Sequence, residues 1–114
     1  MLIFIELWNT NDKWDALTPD EQNTLVYDLV KSLEDLDGPG GIDMVGWGMQ
    51  VEKVDHKLPY QLFAIWKVPD EKQLARVQRA LHRAGWYDYV NQVNVAGRLL
   101  KSPTDLPIYG GQQP

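Results

Sequence analysis

"YQLFAIWKVPDEKQLARVQRALHRAGW", residues 60–86, decides the fold. Its first nine residues form a near-continuous apolar run, the pattern of a strand set centrally in a sheet and covered on both faces. Asp70 then stands where a helix cap belongs, ahead of Leu74, Val77, Leu81 and Ala84, which share one helical face. Gly85 is the expected left-handed stop. A strand therefore passes directly into an amphipathic helix.

The same plan is echoed earlier in the chain. Residues 2–9 alternate as a first strand ending near Trp8, and "TPDEQNTLVYDLVKSLEDLDG" (18–38) follows after a connection containing Trp14. Thr18 suits the N-cap, Pro19 the first helical position, and Glu21 closes a capping box. Leu25, Val26, Leu29, Val30, Leu33 and Leu36 make its apolar stripe, with Gly38 and Pro39 as the stop. Between the two units, "IDMVGWGMQVEKV" (42–54) reads as a second strand and "DHKLP" as a turn. "GWYDYVNQVNVAG" (85–97) leaves the second helix and becomes a fourth strand. The order β-α-β-β-α-β predicts an α+β, ferredoxin-like domain over 1–100, a four-stranded antiparallel sheet with two helices on one face. Residues 101–114, interrupted by Pro and Gly, are expected to be an extended or disordered C-terminal tail.

Composition narrows the function classes. The absence of cysteine removes thiol nucleophiles, thiolate metal sites and disulfides, and it fits a reducing, cytoplasmic setting. A net charge of −5, with Arg76, Arg79 and Arg83 as the only basic cluster, argues against nucleic acid as a partner. "MLIFIELWN" is too short to span a bilayer and lacks the basic start of a signal peptide, so no membrane partner is expected. With two histidines and no ligand pair at helical or hairpin spacing, neither a metal nor a cofactor is expected.

The sheet face without helices matters most. If Ile3, Ile5 and Leu7 point to the helices, then Phe4, Glu6 and Trp8 occupy the other face. Tyr60, Leu62, Ala64 and Trp66 would join them from the third strand, and Gln92 and Asn94 from the fourth, with Val93 and Val95 turned inward. In the second strand Val45, Trp47 and Met49 would face the helices, leaving Gly46 and Gly48 open. So aromatic a face is seldom left in water, and a homodimer closing two sheets into an α/β barrel is the economical solution.

Three stretches, "FIELWN", "GWG" and "GWYDYVNQVNVAG", resemble the darcynin-like group of uncharacterised bacterial proteins within the dimeric α/β-barrel superfamily. Where that group's ending commonly has Phe and Glu, this chain has Val90 and Asn91. The resemblance implies the fold and a dimer. That superfamily holds cofactor-free monooxygenases, isomerases, haem enzymes and simple binders, so no single activity follows.

Two residues are candidates for catalysis. Glu6 among aromatics would be desolvated and its pKa raised, as suits a general base, or it would simply accept bonds from Asn94, Gln92 or a tyrosine hydroxyl. His56, beside Asp55 in a turn, is either an oriented imidazole or an exposed turn residue. Glu6, Trp8, Tyr60, Trp66, Tyr89, Gln92 and Asn94 are the candidate ligand-binding residues, whereas Trp47, Trp86 and Tyr27 read as core. The expected function is binding of a small planar or aromatic molecule in the barrel interior. The alternatives are a cofactor-free isomerase or monooxygenase-like enzyme using Glu6 or His56, and a structural dimer without ligand.

Overall fold

The computed structural model describes residues 1–108; the last part of the expected tail, 109–114, lies outside the described residues. The elements are β1 (Leu2–Thr10), α1 (Asp12–Asp15), α2 (Pro19–Glu34), β2 (Asp43–Met49), β3 (Leu62–Val68), α3 (Glu71–Arg83) and β4 (Val90–Arg98). The four strands form one antiparallel sheet in the order β2-β3-β1-β4, which is the ferredoxin-like arrangement.

The local signals act as their chemistry dictates. Thr18 Oγ1 accepts from the Glu21 backbone N–H at 3.2 Å, and the Glu21 carboxylate accepts from Thr18 N–H at 2.9 Å, a complete capping box. Asp70 accepts from Gln73 N–H at 2.9 Å and opens α3. Gly85 ends it with φ +73°, a left-handed conformation that a side chain would oppose. The connection containing Trp14 gains a short helix, α1, because Asn11 Oδ1 accepts from the N–H groups of Lys13 and Trp14. The second strand is shorter than its apolar run. Past Met49 the Gln50 side chain donates to the carbonyls of Leu58 and Tyr60, folding 50–61 into a loop of its own.

The faces of the sheet are the main correction. Leu2, Phe4, Glu6 and Trp8 are buried, and their cross-strand partners Val68, Trp66, Ala64 and Leu62 lie on the same side, beneath α2 and α3. Gln92 and Asn94 sit opposite Trp8 and Glu6, so they too face the helices. The aromatic row expected on the open face is thus the helix-covered row, and Val93 and Val95 point the other way. Both rows of β1 are apolar, so period alone could not choose between them. Volume decides: Phe4, Trp8 and Trp66 fill the space against Leu29, Leu33, Val77 and Leu81. In β2 a bulge between Met44 and Gly46 leaves Trp47 and Met49 on the helix side, as the sequence suggested, but Trp47, expected in the core, lies at its edge and is exposed.

Tryptophans organise one end of this core. Trp8 meets Trp47 and Trp86 edge-on at 5.8 and 6.0 Å, and Trp86 meets Trp14 at 6.4 Å. Tyr27, expected inside, is exposed, as are Val26 and Val30; of α2 itself, only Leu29 and Leu33 are buried. The helix-free face carries Ile3, Ile5, Leu7, Phe63, Ile65, Val93 and Val95, with the Phe63 ring lying over Gly48.

Candidate functional site

Glu6 is the centre of the one polar cluster in this core. Its residue is 1% exposed, and it is the only buried charged or polar residue among those described. Trp66 Nε1 donates to Glu6 Oε2 at 2.9 Å, and Gln92 Nε2 donates to Glu6 Oε1 at 2.9 Å. Gln92 Nε2 also reaches Asn94 Oδ1 at 2.8 Å. Antiparallel pairing of β1 with both β3 and β4 makes this possible. Trp66 lies two residues beyond Ala64, the partner of Glu6, while Asn94 lies directly opposite Glu6 and Gln92 two residues back.

The electrostatics follow from that placement. Burial removes water from the carboxylate and pushes the Glu6 pKa up, while the donors on Trp66 and Gln92 offset part of that rise. Tyr87 stands close enough to sense the same charge. Desolvation first, then the Glu6 carboxylate, push its hydroxyl above the ordinary range, and a hydrogen bond with Asn94 pulls the other way. Gln92 Oε1 is buried without a partner among the described residues, whereas Asn94 reaches the surface. Here, then, is a carboxyl biased toward its proton, with an unpaired carbonyl and an amide leading out from it. Further along the helix-facing row of β4, Ala96 and Arg98 line a cleft of about 280 Å³ with Leu2, Glu71 and Leu74.

Of the expected ligand residues, Glu6, Trp66, Gln92 and Asn94 come together, though under the helices. Trp8 shares their face but belongs to the tryptophan chain. Tyr60 and Tyr89 do not join them. Tyr60 lines a cleft in the 50–61 loop, and Tyr89 lines one against Leu17, Thr24 and Leu25 of the α2 region. His56 is exposed in its turn with φ +54° and brings no group to Glu6. Tyr87 is a site residue that the sequence pattern did not single out; it also packs at the end of α3, its ring centre 4.6 Å from that of His82. Its signal in the sequence was its place seven residues before Asn94, across the turn into β4.

Residues 1–106 match a family of unknown function, DUF6616. The chain belongs to the DUF6616 family. No curated protein sequence matches this DUF6616 chain. Its fold is similar to that of a chlorite-dismutase-like protein, with TM-score 0.63 and 15% identity over 88% of this chain, which spans only 44% of that one. A protein from Arabidopsis thaliana is similar at TM-score 0.62 and 12% identity, covering 90% of this chain and 98% of the other. A dimeric ferredoxin-like protein of unknown function from Thermobifida fusca follows at TM-score 0.51 and 17% identity, covering 86% and 90%. At such identities the likeness is one of fold alone, and it is the ferredoxin-like fold that the DUF6616 chain shares with them.

Proposed function

We propose that this chain works as a homodimer joined through its helix-free sheet face, and that each protomer binds a small, neutral, planar molecule at the rim of the Glu6 cluster. The binding site sits between sheet and helices, not between the two sheets as the sequence suggested. The observation that carries it is the Gln92 carbonyl, buried and unpaired beside exposed Asn94 and above a carboxyl that favours its proton. Buried polar atoms are nearly always satisfied, so a carbonyl without a donor is a place for a ligand hydroxyl. A carbonyl oxygen can only accept, so the matching ligand group is a hydroxyl that keeps its proton, as in a neutral phenol or enol. The aliphatic open face, with Val95 55% exposed, supports the dimer, as does the dimeric Thermobifida neighbour. The closer kinship with darcynin-like bacterial proteins and a cytoplasmic location belong to the same proposal.

The test uses neutral phenols and naphthols as probes, added to isotopically labelled protein. The Trp66 indole and the Gln92 and Asn94 side-chain amides should shift together on binding. Shifts confined to the clefts around Tyr60 or Tyr89, or no shifts at saturating probe, would contradict the site. One observation favours a second reading: both Glu6 oxygens already have donors, so the cluster also serves as a purely structural polar tie between β1, β3 and β4. The enzyme version of the site, with Glu6 as general base, separates from binding through Glu6→Gln, which would keep probe affinity and lose turnover.

A further inference from the structure

The segment that follows β4, residues 99–108, is an apolar arm that runs into the expected tail. Leu99, Leu100, Leu106 and Ile108 are all exposed, Leu99 at 71% and Ile108 at 89%. The arm is nonetheless shaped: Ser102 caps a 3-10 turn at Pro103–Asp105, and the family match runs through it to residue 106. The chain has a radius of gyration of 16.6 Å, against about 13 Å for a compact domain of this length. Elsewhere, an apolar groove lies open. Val30 and Leu33 of α2 and Met44 and Trp47 of β2 line a cleft of about 230 Å³ rimmed by Glu34 and Asp37. Trp47 in it is 48% exposed.

Register brings the two together. Arg98 pairs with Leu2, Leu2 with Val68, and the next row holds Lys67 with Asp43. The end of β4 is therefore level with the start of β2, on opposite edges of the sheet. A twofold axis running along the strands between two sheets stacked on their open faces leaves heights along the strands unchanged. It carries the β4 edge of one protomer over the β2 edge of its partner, and the arm has to round that edge to reach the groove on the helix side. Ten residues, 99–108, span roughly 33 Å when extended, and stacked sheets lie about 10 Å apart, so the reach is sufficient.

We infer that the arm of each protomer crosses to its partner and lays its apolar side chains in the α2–β2 groove, with Lys101 toward the acidic rim. The inference rests on the dimer proposed above. It gives the exposed stripe of α2 and the exposed arm one common cover, and it shields both edge strands from further pairing.

The chain has no cysteine, which makes cross-linking clean. Full-length single-cysteine chains are prepared with Leu100→Cys, Leu106→Cys or Ile108→Cys, and each is mixed with Val30→Cys under mild oxidation. Because only Cα atoms within about 7 Å can be bridged, at least one arm position should give about tenfold more heterodisulfide with Val30→Cys than with a control Glu52→Cys. Sedimentation of the same unoxidised mixtures reads the dimer independently. A dimer without selective heterodisulfide from any arm position overturns the crossing arm and leaves the dimer standing. A monomer overturns both. An intrachain disulfide in the Leu106→Cys, Val30→Cys double variant at high dilution, without crossing in the mixtures, would place the arm on its own protomer and also overturn the inference.

Discussion

Trp66→Phe is the most informative single perturbation of the core. It removes the indole N–H that Glu6 Oε2 accepts and leaves an aromatic ring in place. Below the ordinary carboxylate pKa of 4.5 Glu6 is neutral in both states, so the cost is a neutral hydrogen bond plus lost ring volume, about 1–2 kcal/mol. At higher pH the sign follows from proton binding. Burial raises the folded pKa of Glu6, so between 4.5 and that raised value the native state holds a proton the unfolded chain has released. Stability contributed by this group is full below 4.5 and falls as pH rises through the window, with a slope of up to about 1.4 kcal/mol per pH unit. Removing the Trp66 donor takes away an interaction that lowers the pKa, so the window widens upward. The destabilisation by Trp66→Phe should therefore grow with pH, toward about 2–4 kcal/mol once the wild-type carboxyl ionises. Urea unfolding followed by circular dichroism at a series of pH values measures it. Glu6→Gln is the control and should flatten the wild-type slope in the same range. A Trp66→Phe cost that stays constant across pH, together with an unchanged slope in Glu6→Gln, would refute the reasoning.

Charge on the helix-free face tests the dimer: Val95→Lys or Ile5→Lys should weaken association at least about tenfold, since one unpaired charge in an apolar interface costs more than 1.4 kcal/mol. Sedimentation equilibrium reads the loss, and circular dichroism should show the fold retained. Gly85→Ala, at φ +73°, should cost about 1–2 kcal/mol in urea unfolding, because a Cβ opposes the left-handed turn out of α3. Asp70→Ala removes the α3 cap and should cost about 1 kcal/mol, with Asp70→Asn recovering most of it.

Much of the fold was legible because it rests on short-range chemistry. Thr18, Pro19 and Glu21 start α2, Asp70 starts α3, and Gly85 ends it, each through bonds to residues within a few positions. What failed was long-range. Ile3, Ile5 and Leu7 are as apolar as Phe4 and Trp8, and only the volume available under two helices assigns the larger row to the core. That single choice moved Glu6, Trp66, Gln92 and Asn94 from the open face to the covered one, yet kept them together, since cross-strand partners move as a set. Tyr60 and Tyr89 separated from them because each lies in a loop or turn whose path the strand pattern does not set. The bulge at Met44–Gly46 left no mark in the alternation of apolar residues. In the closing strand, Gln92 and Asn94 are the residues hydrogen-bonded into the Glu6 cluster, and Tyr87 approaches them from the turn before it.

Everything proposed for the site depends on Glu6 favouring its proton above the ordinary carboxylate range. The Trp66 indole N–H, bonded to the carboxyl itself, is the direct reporter, and its nitrogen-resolved proton signal can be assigned by its loss in Trp66→Phe. Followed with pH, this signal should titrate with a midpoint above 4.5 and lose the transition in Glu6→Gln. A midpoint at or below 4.5, or a transition that survives Glu6→Gln, would contradict it.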